Sequence, residues 1–533
     1  MIKEEREGLA GYVVVAKTAD TRSPPAMTSY PDSAFASSHQ HFDTLIGHLT
    51  GEKTEHLDAA AIEAFLDSEG RDLMRVLLQD HLNLRASREE ATIQPMRAAD
   101  GERRTETRPA TRTLGTLFGE VDINRIRLVK RGTTGGLLPL DAHLNLPSGK
   151  YSFGVARRLA FEVAQASYTT AIENIRRTTS TTIARRQVEA VIGNLVVDFE
   201  DFYLHQDPAP VDDDELLVLS FDGSGVIMRP EGLREDTRKR AADRRRRSTA
   251  ETAAATRNRS AHPHRKRMAE VATVYALKAL PRTPEDLVKR LRSPGPHPVR
   301  PRAENKRVWA SLSRSVPDVI DEAFVEAGMR DPANQRRWVV LLDGNEHQLA
   351  SVEAMAANAG VEVTVIVDFI HVLGYLWKAG KALVGPEPAA IESWVARQSH
   401  RVLQGKARWV ASGMRCSATV RGLEGSAREA VDTCAGYLLK YQSYLHYDAY
   451  LQDGLPIATG VIEGACRWLV KDRMDITGAR WGLEGGEAVL QLRALRASGD
   501  LDDYIDFHAR REQERNHLSK FDDGELVELR TAA

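Results

Sequence analysis

Cysteine is scarce in this chain: three residues in 533, Cys416, Cys434 and Cys466, odd in number and far apart. That spacing excludes a disulfide framework and any Cys-x-x-Cys zinc site, and a reducing interior is the natural expectation. Long apolar runs are missing as well. No stretch approaches the roughly 18 residues that a membrane-spanning helix needs. The opening MIKEEREGLAGYVVVAK begins acidic, and its apolar core is too short for a signal peptide. A cytoplasmic protein with no membrane partner is expected. Net charge is nearly absent too, formally −2, so information about partners lies in how charge is distributed. The stretch from Arg234 to Arg267 is strongly basic, and a nucleic-acid partner is read from such local patches. No internal repeat stands out.

What is present is the composition of a soluble globular protein, with 42% hydrophobic and 28% charged residues. At about 100 to 200 residues per domain, this length predicts two to four domains. Residues 1–40, rich in Ser, Pro, Thr and Ala, predict a flexible arm. Region 41–108 predicts a helical pair, with Leu73, Val76, Leu77 and Leu84 on one face. Region 109–200 begins with TLGTLFGEVDINRIRLVKRG, where Val121, Ile123, Ile126 and Leu128 alternate with polar partners as in a small hairpin. From about 152 to 197 the pattern is helix, short helix, Thr/Ser-rich turn, helix. That spacing suits either a plain helical hairpin or a helix-turn-helix whose last helix offers Arg185, Arg186 and Gln187 to DNA base edges.

Beyond residue 211 the fold class becomes α/β. ELLVLSFDGSGVIMRP reads as two strands joined by a Gly-Ser-Gly turn, and MAEVATVYALKAL as a third strand. A helix over 304–329, the strand RWVVLLDGN, a second helix, the strand VEVTVIVDF and a helix through Trp377 follow. The result is a mixed sheet covered on both faces. Three strands end in acids: Asp222, Asp343 and Asp368, the last followed three residues on by His371. One Asp after a strand is commonly a turn former or a helix cap. Three in one sheet can converge beyond the strand termini, and carboxylates brought together need a proton or a hard cation such as Mg²⁺ between them. In GLPIATGVIEGACRWLVKDRMDITGARW a helix can start at Thr459 or Gly460. Glu463 then either pairs with Arg467 on the helix surface or joins the acids, with Arg467 and Lys471 turned to phosphates.

The order strand-Asp222, strand-Asp343, strand-Asp368-x-x-His371, helix-Glu463 resembles bacterial insertion-sequence transposases of the DDE superfamily, and most closely the ISKra family. SFDGSGVIMRPEG, HRKRMAEVATVYAL, VVLLDGNEHQL, VIVDFIHVLGYLWKA and the long stretch around Glu463 carry the likeness across roughly residues 110–500. The resemblance implies an RNase H-like catalytic domain over 211–500, with an all-helical insertion at about 378–455. It also implies a helical, helix-turn-helix-like DNA-binding region before that domain; beyond the likeness, residues 501–533 read as a charged tail. Asp222, Asp343 and Glu463 would bind two Mg²⁺ (or Mn²⁺) ions, and Asp368 and His371 would be accessory. Arg185, Arg186, Arg265, Lys266, Arg267, Arg467, Lys471 and Arg473 would contact DNA, meaning the element's terminal repeats and the target. A homodimer or larger assembly would form the synaptic complex. The cysteine pairs of a zinc ribbon, expected near residues 110–140 in some relatives, are absent here. Trp394, Trp409 and Tyr441 in the insertion read as core residues. A nuclease or resolvase of the same fold, or a non-catalytic DNA-binding descendant, are the rival readings.

Overall fold

A computed structural model describes residues 32–133, 135–208, 210–212, 214–240, 265–292, 301–476 and 478–524. Residues 1–31 of the expected arm, and residues 241–264 of the basic stretch, lie outside these. The rest of the arm is helical: the 3₁₀ turn Asp32–Phe35 leads into α1 (Ala36–Leu49). Ser38 fixes it, donating from both its backbone N–H and its hydroxyl to Asp80 of α2 (Ala59–Thr92). Asp58 caps α2 through the Ala61 N–H. A two-residue ladder follows, β1 (Met96–Arg97) with β2 (Arg103–Arg104). The expected hairpin is β3 (Glu106–Thr116) and β4 (Gly119–Val129), paired without slippage from Glu106↔Val129 to Thr116↔Gly119.

The α2 face predicted from Leu73, Val76, Leu77 and Leu84 is only half-buried. The row Leu78, Leu82 and Ala86 instead meets Leu114, Val121 and Ile123 of the hairpin. Glu89 ties the two together from a fully buried position, accepting from the Ile126 and Leu140 N–H groups; burial raises its pKa despite those bonds.

After α3 (Pro139–His143), the three expected helices are α4 (Phe153–Gln165), α5 (Tyr168–Thr178) and α6 (Arg185–Leu195), followed by α7 (Phe199–His205). Ser152 and Ser167 cap α4 and α5. The sheet elements are β5 (Glu215–Ile227), α8 (described for 235–240), β6 (Lys266–Lys278), α9 (Pro284–Arg292), β7 (Glu304–Ser311), α10 (Val316–Arg330), β8 (Trp338–Leu342), α11 (Glu346–Ala359), β9 (Val363–Val367) and α12 (Phe369–Val384). The sheet order is β7-β6-β5-β8-β9. β5, β6 and β7 are antiparallel neighbours, and β8 and β9 run parallel to β5.

Two of the expected sheet elements are corrected. The Gly-Ser-Gly segment is not a turn: β5 runs through it as one strand of 13 residues. A Cβ on Gly223 or Gly225 would come within 3.0 Å of Met268 or Lys266, so these glycines make room for the side chains of β6. Residues 304–311, expected to be helical, form the edge strand β7, and the helix begins only at Val316, capped by Ser315. The count of five strands survives because the two errors offset each other.

The insertion is helical as expected: α13 (Pro388–Leu403), α14 (Ala407–Val420), α15 (Gly425–Lys440) and α16 (Tyr447–Gln452). It packs on the sheet face that carries Val218, Val339 and Leu341. Trp394 and Tyr441 are core residues there, whereas Trp409 is 77% exposed. The chain closes with α17 (Gly460–Ala465), a π-helical segment Cys466–Lys471, the helical turn Asp472–Met474, a helix spanning Leu483–Ser498 and a last helix over Leu501–Asn516.

The opposite sheet face carries Leu217, Leu219 and Phe221, which share one core with Leu159, Val163 and Ile192 of α4 and α6 and with Val489 and Leu492 of the Leu483–Ser498 helix. The expected DNA-binding region is therefore not a free-standing domain. Its amphipathic helices bury their apolar stripes on the sheet domain, the nearest apolar surface. The last helix replaces most of the expected tail. Tyr504 and Ile505 are buried, and His508 sits between Asp198 at 2.7 Å and Glu512 at 3.3 Å.

Candidate active site

Register brings the first two acids together. Ser220 lies opposite Leu341 in the parallel β5–β8 pair. Two residues further on, Asp222 is level with Asp343, which follows the last residue of β8. Gly344 turns the chain away at φ +93°, and a Cβ there would stand 2.8 Å from the Tyr437 hydroxyl, so this site requires glycine on two counts. The helical insertion clamps this turn: Tyr437 donates to the Asp343 carbonyl at 2.8 Å, and Tyr441 donates to the Gly344 carbonyl. Asp343 Oδ1 accepts from the Asn345 N–H.

Asp222 Oδ1 accepts from the Gly223 N–H at 2.7 Å, and Oδ2 accepts from the Cys466 thiol at 3.3 Å. Burial raises the pKa of Asp222 and the charge of Asp343 adds to the rise, while the Cys466 and Gly223 bonds oppose it. Glu270, opposite Gly223 on β6, belongs to the same group. It is buried and held by the Gln348 side-chain amide. Burial, with the charges of Asp222 and Asp343, pushes its pKa up to about 7. Sequence reasoning missed Glu270 and Cys466. The only signal for Glu270 was an acid inside the otherwise apolar MAEVATVYAL, and nothing local marks Cys466.

Asp368 and Glu463 are joined through Thr459. Asp368 is fully buried, with Oδ1 capping α12 through the Ile370 N–H and Oδ2 accepting from the Thr459 hydroxyl at 2.8 Å. That hydroxyl also lies 3.4 Å from Glu463 Oε1. Asp368 is thus a helix cap that anchors the start of the Glu463 helix. His371 is half-exposed, 3.8 Å from Asp368. Its pKa is raised by the Asp368 contact first, then by the charges of Asp343, Asp368 and Asp222, against its partial burial. Glu463 itself is exposed. Three residues separate it from Cys466, so the helix presents both on related faces, and the π-helical turn that follows is a feature frequent at functional sites.

None of Asp222, Glu270, Asp343 and Glu463 has an ion-pair partner among the described residues; the charge of Lys471 reaches Asp222 only as a small lowering influence. Among those residues no three His, Cys, Asp or Glu side chains are placed to hold a metal ion in this conformation. The donor chemistry nonetheless suits a hard cation at the Asp222–Asp343 pair, because two oxygen ligands whose charges act on each other lack a neutralising partner.

The expected DNA contacts divide. Arg185 and Arg186 are exposed in the first turn of α6, and Arg265, Lys266, Arg467 and Lys471 are also exposed, Lys266 lying 3.6 Å from Asp475. Two are turned inward. Arg267 donates to the Leu312 and Gly232 carbonyls at 2.6 and 3.1 Å. Arg473 is 3% exposed, lies over the rings of Tyr168 and Trp481, and donates to the Val163 carbonyl. Backbone carbonyls and aromatic faces satisfy these two guanidiniums, so their first role is to hold the chain together. Gln187 is likewise engaged, accepting from the Tyr151 hydroxyl at 2.7 Å.

Compared with known proteins, the chain matches no family model and no curated protein.

Proposed function

We propose that the chain is a DNA transposase of the DDE type with an RNase H-like catalytic domain, as its likeness to the ISKra family implies. The observation that carries the reading is the level placement of Asp222 on β5 and Asp343 just after the adjacent parallel strand β8, with no ion-pair partner among the described residues, beside a helix on which Glu463 is linked through Thr459 to Asp368. In this reading Asp222, Asp343 and Glu463 are the residues that would hold the metal ions. Two Mg²⁺ (or Mn²⁺) ions, when bound, supply activation of the attacking water or 3′-hydroxyl and stabilisation of the leaving oxygen. The protein's part is positioning. Tyr437 and Tyr441 fix the Asp343 turn, Cys466 orients Asp222, and the Asp368–Thr459 bond sets the start of the Glu463 helix. The N-terminal helices bind the element's terminal repeats, and a dimer or larger assembly synapses two ends.

The test is Mg²⁺-dependent cleavage of a plasmid carrying the DNA that flanks the gene. The parent should nick at the element's ends and join them to target DNA, and Asp222→Ala, Asp343→Ala and Glu463→Gln should not. Cleavage without joining points to a nuclease. End binding with no cleavage in the parent points to a non-catalytic descendant.

A further inference from the structure

A second feature lies away from the acids, where α5 and α6 face the loop that precedes the Leu483–Ser498 helix. A cavity of about 760 Å³ opens there, and its lining includes Arg185, Arg186, Arg229, Arg473 and Arg480 but a single acid, Glu189. Arg185, Arg186, Arg229 and Arg480 are exposed, and none of their four guanidiniums makes a hydrogen bond or ion pair among the described residues. Like charges gathered without a counter-ion are unfavourable unless an anion is taken up.

The frame around them is rigid. The end of β5 is stitched to the loop by Arg229 N–H to the Trp481 carbonyl at 2.8 Å and Trp481 N–H to the Ile227 carbonyl at 3.1 Å. Buried Arg473, stacked on Trp481 and Tyr168, closes the back wall. The backbone that carries Arg229 is thus tied to the loop beside Arg480, and the planar guanidiniums it presents suit bidentate binding of phosphate oxygens.

We infer that this cavity is a phosphate-backbone site for a DNA strand, formed jointly by the N-terminal helices and the catalytic-domain loop. The inference rests on the proposed function for its choice of ligand, but not on the acid triad. Seven residues of nearly extended chain separate Asp222 from Arg229, roughly 23 Å at a strand's rise. At about 3.4 Å per base pair, a duplex held in the cavity reaches the acids some six to seven base pairs away.

The experiment measures binding of a fluorescent duplex from the element's end by anisotropy, in chelator so that no cleavage intervenes and over a series of salt concentrations. The double variant Arg229→Ala/Arg480→Ala should bind about tenfold or more weakly, and its salt slope should fall by about 2. Arg185→Ala, a single change at another exposed position, should also weaken binding, with a fall in slope of about 1, and unfolding midpoints should match the parent's. Glu463→Gln should bind as the parent does, so loss of the catalytic reading alone leaves this result standing. Unchanged affinity and slope in both arginine variants overturns the inference. So does a parent that ignores the duplex but is stabilised by inorganic phosphate through these arginines, which makes the cavity a small-anion site.

Discussion

Two groups of acids stand on this sheet under opposite electrostatic conditions. At the β7 edge, Glu322 and Glu326 surround buried Arg307 at 2.6 Å each. Arg330 reaches Glu326 at 2.7 Å, Arg314 reaches Glu322 at 2.7 Å, and Arg307 also lies 3.6 Å over the Tyr203 ring. Within β5 and β6 and just past the end of β8, Asp222, Glu270 and Asp343 have no such partner among the described residues, and burial and mutual repulsion raise the pKa values of the first two. The contrast teaches what each group does. The first satisfies its charges internally and serves the fold, whereas the second carries an electrostatic cost that folding alone gives no reason to keep.

The largest expected effect tests the second group: Asp222→Asn or Asp343→Asn should lower end cleavage by on the order of a thousandfold or more, read as nicked plasmid against time. Next comes stability. Arg307→Ala leaves two carboxylates without their main partner and should cost about 3–5 kcal/mol in urea unfolding, while Asp222→Asn should be neutral or stabilising. Equal losses in the two variants would erase the distinction.

The third expectation concerns pH. The folded pKa of Glu270, about 7, exceeds its ordinary value of 4.5. Its contribution is therefore full below about pH 4.5 and is lost as pH rises through 7. In chelator, the parent should lose on the order of 3 kcal/mol relative to Glu270→Gln across that window. Mg²⁺ should flatten the difference if it binds among these acids, and parallel profiles for the two proteins would show that Glu270 does not titrate as described. The smallest effect belongs to Thr459→Val, which leaves one oxygen of buried Asp368 without its donor and should cost about 1–3 kcal/mol. It should also slow cleavage less than Glu463→Gln does, since Thr459 positions rather than binds.

Legibility from sequence varied with how local the signal was. The hairpin, the three helices after it and the helical insertion were readable because each writes its period into a short window. Strand β7 was not. Its polar start, Glu304-Asn305-Lys306, belongs to an edge that is solvated at one end, and it ran on in sequence toward a true helix. The Gly-Ser-Gly segment misled for a related reason, since a glycine that yields space to Met268 looks the same in sequence as one that makes a turn. Among the acids, Asp222, Asp343, Asp368 and Glu463 were visible because they end apolar runs or open a helix. Glu270 and Cys466 join them only through pairing and packing.

By itself the sequence determined the periodic elements, the apolar runs of the sheet and the acids that close those runs, though β5 continues past Asp222 to Ile227, since side-chain spacing and backbone preference act over a few residues. Tertiary structure decided which groups meet. It set Asp222 level with Asp343, gave Asp368 to a helix cap, turned Arg473 inward and left Arg480 open beside Arg185. Register and burial depend on contacts between residues hundreds of positions apart, and no local pattern carries that information.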